Sequence, residues 1–513
     1  MKNRLRFLLP LLCVALAGTA LAAKPKPEHA GSHTPPVAQK SVTRGGVVVE
    51  GKRIDYTATA GTIILTNKQG QPTGSMFYVA YTKRGANLAK RPVTFFYNGG
   101  PGSSSVWIHM AAFGPRRVQL PDHVQAPAAP YRLVNNDYSL LDATDEVFVD
   151  AMSTGYSRII GKAEGGVGTK KDFYGYDPDV RSFAQFITRY LSQNNRWNSP
   201  KYLYGESYGT VRSELLANYL EQEDDIDLNG VVLQSAYTGN NVIFGSDIGY
   251  ETNLPTFAAV AWYHYKIPNQ PARLRPFLQQ VEQFADNQYA VALTAGNTLS
   301  PARFAAIAEK LHDYTGLSTA YIEKSNLRVS NGAFRHQLLG ARDETVGDLD
   351  GRYVGPSMNP MSPRAEYDPT ESAVMSAIMS AFNGYVHNTL KFGRDRRYRP
   401  MTNVFPWSRK HVNLLTGQRM FSFNAGVDLA QAIKYDPDLK VEVDAGYFDL
   451  NLPFGGMVYS VNHLSLPKSL QGNIQFKFYH SGHMIYLHVP ALKQLHDNTA
   501  AFIAATDHSV QGR

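Results

Sequence analysis

Apolar positions along the chain change their spacing three times, and each change marks a different kind of element. VVVEG (47–51), RIDYTATA (53–60), TIILTN (62–67) and SMFYVAYTK (75–83) set β-branched and aromatic residues between turn signals such as Lys68-Gln69-Gly70, which predicts an antiparallel meander of about four strands starting near Val47. PVTFFYN (92–98) and EVFVDAM (146–152) are short uninterrupted apolar runs of the kind that form buried strands. Residues 177–195 place Val180, Phe183, Ala184, Ile187, Tyr190 and Leu191 three and four apart behind an Asp-Pro start, a helix. A strand at 201–206, a helix over about 209–221 and a strand in NGVVLQSA follow, and this alternation predicts a parallel sheet with crossover helices.

From about 238 to 405 the spacing is mainly helical, with a polar Gly/Pro/Met stretch at 343–370. Strand patterns resume in DLKVEVDAGYFDL and NIQFKFYHSGH, and the amphipathic PALKQLHDNTAAFIAAT closes the chain. The expected architecture is α/β with a mixed, mostly parallel central sheet. Its core is divided into residues 46–237 and 406–513 by a helical cap insertion at 238–405.

The N-terminal end reads differently. Lys2, Arg4 and Arg6 precede an apolar run of about 15 residues that ends in Ala20-Leu21-Ala22, the pattern of a signal peptide over 1–22. The run falls short of the roughly 20 residues of a spanning helix. Leu12 before Cys13 does not fit a lipoprotein site. Residues 23–45 are Pro-rich and polar, a flexible linker. Loss of 1–22 would lower the net charge from +8 to +5, with no strong basic cluster to grip nucleic acid, and would remove Cys13, the single cysteine. Thiol catalysis and cysteine-based metal sites are thereby excluded, and an exported, periplasmic or secreted protein of a bacterial envelope is expected.

Candidate chemistry centres on Gly205-Glu206-Ser207-Tyr208-Gly209, a GxSxG sequence at a strand-to-helix turn. Such a turn lifts a serine hydroxyl out of the sheet, and the flanking glycines let other backbone approach. A serine needs a base, and the base needs a carboxylate to orient it. Downstream strand ends offer Asp449, with Asp444 as rival, and His483, with His480 and His488 as rivals. A metal site built from these three histidines lacks the HExxH pattern and a carboxylate partner, so no metal or other cofactor is expected. The glycine-rich loop 99–105 can present backbone amides to an anion.

NGGPGSSS (98–105), FGP (113–115), VDAMSTGYS (149–157), GESYGT (205–210), GYFDL (446–450) and GHMIYLHVP (482–490) together resemble the serine carboxypeptidase family, in the family's order. The resemblance implies an α/β-hydrolase fold that removes single residues from the free C-terminus of peptides, with Ser207 as nucleophile, His483 as base and Asp449 orienting it. It also implies an oxyanion hole from the amides of Gly100 and Tyr208, and Asn98 and Glu206 as binders of the substrate's terminal carboxylate. Three positions depart from the pattern: Ser103 stands for a disulfide cysteine, Phe96 for a frequent tryptophan, and Ala112 for a second glutamate of the carboxylate-binding pair. The last keeps an esterase or acyltransferase as the alternative.

Overall fold

The computed structural model describes residues 36–238, 245–268, 270–420 and 422–508, so the expected signal peptide and most of the linker lie outside the described residues. The chain opens with three long strands, β1 (Lys40–Val49), β2 (Lys52–Thr66) and β3 (Pro72–Lys83), paired antiparallel. This corrects the sequence reading twice. RIDYTATA and TIILTN form one strand, because Gly61 pairs straight through opposite Tyr78 and no turn is made there. Residues 40–45, assigned to the linker, are strand because they pair with Tyr56–Gly61.

Next come β4 (Val93–Tyr97), a short ribbon of β5 (Arg116–Val118) and β6 (Leu133–Asn135), then β7 (Asp145–Val149) and the two-residue β8 (Arg158–Ile159). Helix α1 (Tyr176–Gln193), β9 (Lys201–Glu206), α2 (Tyr208–Glu223) and β10 (Gly230–Gln234) build the predicted crossover units. The helical stretch holds α3 (Asp247–Tyr263), α4 (Leu274–Phe284), α5 (Ala290–Ala295), α6 (Pro301–Thr315), α7 (Thr319–Lys324) and α8 (Asn331–Gln337). A ribbon of β11 (Glu344–Val346) and β12 (Val354–Pro356) and the long α9 (Pro369–Asn388) follow. The chain ends with α10 (Gly426–Tyr435), β13 (Lys440–Gly446), α11 (Phe454–Asn462), β14 (Ile474–Tyr479) and α12 (Val489–Thr506).

The main sheet runs β1-β2-β3-β7-β4-β9-β10-β13-β14, with β8 on β3. It is antiparallel up to β7 and parallel from there to β14, a mixed and mostly parallel α/β sheet. The central strands are apolar throughout because both faces are covered. Val93, Phe95 and Tyr97 of β4 pack with α1 and α2, whereas Phe96 packs against Phe113, Phe148 and Tyr204 on the opposite face with α9 and α12.

Helix α9 therefore departs from the cap expected over 238–405. Its Ala377, Ile378, Phe382 and Tyr385 are buried in one cluster with Phe77 and Tyr81, and Phe382 and Tyr385 also meet the His109 ring. Beyond it, residues 399–408 run back along the core, bridging Met401 to Ser103, Arg399 to Gly155 and Ser408 to Gly175.

Candidate active site

Three strand ends and one loop converge on Ser207. The residue sits between β9 and α2 with φ +61° and ψ −127°, a left-handed conformation that a side chain rarely takes. The glycines around it are needed for space. A Cβ on Gly205 would lie 2.3 Å from the Gly209 carbonyl, and one on Gly99 would lie 2.3 Å from the Tyr208 nitrogen. The loop after β4 is thus pressed onto the N-terminus of α2, which brings Gly100 beside the Tyr208 amide end of the helix.

His483, after β14, points Nδ1 at Asp449 Oδ2 2.8 Å away, and Asp449 Oδ1 accepts from the Leu452 amide at 2.8 Å. Both side chains are buried, Asp449 completely. Burial pulls the His483 imidazole down, but the Asp449 carboxylate, helped by Glu206 and Asp348, outweighs it and pushes it up to about 9. The rivals lie elsewhere. Asp444 stays inside β13 and accepts from the Tyr479 hydroxyl at 2.8 Å. The His480 carbonyl accepts from Arg352 at 2.7 Å, and the His488 ring meets Asp122.

Glu206 is buried beside the serine, and burial pushes its carboxyl up to about 7 against the lowering effects of His483, Tyr486 and Asn98. Gln234 Nε2 donates to Glu206 Oε2 at 3.1 Å. Asn98 Oδ1 accepts from the Ile108 amide at 3.2 Å, while its Nδ2 is buried without a well-formed hydrogen bond, and so is the Tyr486 hydroxyl. Asn98, Gly100, Glu206, Ser207 and His483 all line one cavity of about 300 Å³, walled also by Trp107, Asp348, Asp368, Glu371 and Met401. A second cavity of about 270 Å³ shares Gly100 and Ser207 and is lined by Tyr176, Tyr208, Tyr237 and Trp407.

At the departures from the family pattern, Ala112 lies fully buried in a π-helical turn (Ile108–Phe113) with its carbonyl accepting from Asn136. Ser103 accepts from Trp107 Nε1 at 2.8 Å and bridges to Met401. The acids facing the cavity beyond Glu206 come instead from residues 348–371, none of them singled out in the sequence.

Several positioning groups also escaped the sequence reading. The His483 carbonyl accepts from Gln234 Nε2 at 3.1 Å and from the Ser235 hydroxyl at 2.7 Å, and its amide donates to the Leu349 carbonyl at 2.6 Å. Asp368, the N-cap of α9, holds that loop by accepting from the amides of Asp348 and Leu349. Under the elbow, buried Arg212 donates to Asp179 at 2.8 Å and to the Asn98 carbonyl at 3.0 Å, with its guanidinium 4.2 Å from the Phe183 ring centre. A polar residue at a strand end and an arginine in a helix carry no sequence sign of such roles.

A family model for serine carboxypeptidases matches residues 54–330, just over half of the chain. The chain belongs to the serine carboxypeptidase family. No curated protein matches it in sequence. Among solved structures it is similar to Kex1(delta)p, a prohormone-processing carboxypeptidase from Saccharomyces cerevisiae, at 16% identity and a TM-score of 0.53, over 87% of this chain and 91% of the yeast one. A proline iminopeptidase from Mycobacterium smegmatis is similar at 14% identity and a TM-score of 0.36, over 88% of this chain and 100% of that one. The serine carboxypeptidase assignment makes the protein a hydrolase of the peptidase class with an α/β-hydrolase fold. Among the described residues no helix is long and apolar enough to cross a membrane.

Proposed function

We propose that this serine carboxypeptidase works through Ser207, His483 and Asp449 and cleaves the last peptide bond of substrates with a free C-terminus. The observation that carries the triad is the buried His483–Asp449 contact at 2.8 Å in a cavity shared with Ser207. Asp449 holds the proton on Nδ1 and leaves Nε2 to take the proton from Ser207 Oγ as that oxygen attacks the scissile carbonyl carbon. The resulting oxyanion would face the amides of Gly100 and Tyr208. Loss of one such donor costs about 10²–10³ in rate. His483 then protonates the leaving amine and the C–N bond breaks. A water molecule, deprotonated by the same imidazole, attacks the acyl-enzyme ester and frees Ser207.

Carboxylate recognition is assigned to Asn98 and Glu206. The Asn98 amide lies against the Glu206 carboxyl and can donate to an incoming carboxylate, and Glu206 below about pH 7 is a neutral acid able to donate to a second carboxylate. The leaving residue would occupy the cavity with Asn98, and the acyl side the aromatic one.

Ala112 favours the second reading, an esterase or acyltransferase, because it brings no carboxylate to pair with Glu206. Turnover of a blocked dipeptide with a free C-terminus, its C-terminal amide and a simple ester separates the two. Strong preference for the free acid is expected, and equal turnover of all three would overturn the carboxypeptidase mechanism. For domain organisation the same proposal keeps residues 46–237 and 406–513 as core, adds α9 to it, and confines the cap to the helices before α9. Export by way of residues 1–22 is part of the proposal.

A further inference from the structure

Away from the catalytic cavity, three side chains that no step of hydrolysis uses converge where the loop joining β5 to β6 meets the start of α12. Asp122 and His123 come from the loop and His488 is the N-cap residue of α12. One ligand atom from each lies within 4.8 Å of the other two. His488 Nδ1 is 3.1 and 3.0 Å from the two Asp122 oxygens, and His123 Nε2 is 3.1 Å from Oδ1. The two imidazoles stack, with centres 5.0 Å apart and planes inclined by 27°.

Ordinary ion pairing accounts for only part of this. The His123 Nε2 atom is buried, and despite its distance from Asp122 it makes no well-formed hydrogen bond. The ring that carries this atom is itself largely covered. Its position is fixed by the faces around it, with Tyr353 at 5.8 Å and Tyr263 at 6.1 Å, and by a left-handed backbone at φ +57°. A preset imidazole whose buried nitrogen lacks a well-formed hydrogen bond, facing a carboxylate and a second imidazole, completes a donor set for a transition cation.

We infer that Asp122, His123 and His488 form a binding site for one divalent transition cation of the zinc class, which staples the β5–β6 loop to the segment that carries His483. Two nitrogen ligands and one carboxylate oxygen suit such an ion, and a tetrahedral site with bonds of about 2.0–2.1 Å sets its ligands roughly 3.3 Å apart. The His–Asp separations are near that spacing already, so only the two imidazoles have to close up. Binding replaces the proton that His488 Nδ1 shares with Asp122, and water completes the coordination. The ion sits five residues beyond His483 and outside its hydrogen bonds, so its effect is on stability. Cys13 being the single cysteine, a metal cross-link does here what a disulfide cannot.

The test is calorimetric titration of Zn²⁺ into the tag-free, chelator-treated protein, alongside Asp122→Asn, His123→Gln and His488→Gln. Thermal melting with and without Zn²⁺ and the visible spectrum of the Co²⁺ form accompany it. Wild type is expected to bind one equivalent, to melt at a higher temperature with Zn²⁺, and to show the intense absorption of a tetrahedral Co²⁺ site. Each variant should bind about 100-fold more weakly or worse, since loss of even an outer-shell partner costs roughly 10–100-fold. Fluorophosphonate labelling of Ser207 should persist in all three, showing that they fold. Wild type that binds no Zn²⁺, or binds it with a stoichiometry and affinity that the variants leave unchanged, overturns the site.

Discussion

Exchanging Glu206 for glutamine separates the roles assigned to that residue, and its effect on stability can be worked out in advance. The buried carboxyl is raised from an ordinary 4.5 to about 7, chiefly by desolvation. Between those two values the unfolded chain releases its proton while the folded one keeps it, so stability falls as pH rises. Above both, the folded protein holds a buried carboxylate at a cost of about 3 kcal/mol, at roughly 1.4 kcal/mol per pH unit. Glu206→Gln keeps the side-chain oxygen that accepts from Gln234 and cannot ionise. It should match wild type near pH 4.5 and exceed it by about 3 kcal/mol at pH 8. Urea unfolding of both proteins across that range measures the difference, in which the titrating groups that do not interact with Glu206 cancel. In parallel, kcat/KM for a free-acid peptide should decline above about pH 7 in wild type and hold level in the variant. A stability difference that is the same at both ends of the range, or a variant less stable at pH 8, would refute the buried-acid reasoning.

Asp449→Asn should lower kcat by about 10⁴ with little change in KM, because the amide favours the wrong imidazole tautomer; peptide kinetics check it. Arg212→Met strands Asp179, which is buried against it, and should cost about 3–5 kcal/mol in urea unfolding. His411 sits between Asp177 at 2.6 Å and Asp428 at 3.0 Å; burial opposes its charge, but the two carboxylates push it up to about 9. Its folded value lies above the unfolded one, so its contribution is complete below about 6.5 and is lost as pH rises through 9. Thermal melts of His411→Gln should therefore show a deficit at pH 6 that closes by pH 10.

The elbow and the alternation of strand and helix around it could be read from the chain because local rules govern them. A strand buried on both faces must be apolar throughout, as VTFFY and KYLYGE nearly are, and a nucleophile on a sharp turn needs glycine where backbone passes within 2.3 Å. Where reading failed, the deciding contact was distant. RIDYTATA and TIILTN read as two strands, yet pairing with β3 carries the chain straight through Gly61. The spacing of α9 shows a helix and cannot show that its apolar side meets Tyr81 and His109, some 300 residues earlier, and not a cap.

The sequence by itself marked out Ser207 as the proposed nucleophile and the chain order of the proposed triad, and it determined the α/β class, because motif spacing and apolar periodicity are properties of neighbouring residues. Only the tertiary structure decided which histidine faces which carboxylate, since that depends on where β13 and β14 end side by side. It also moved the Glu206 carboxyl upward from its ordinary range. A glutamate in a sequence has one ordinary acidity, and the burial that raises it exists only once the chain has closed over it.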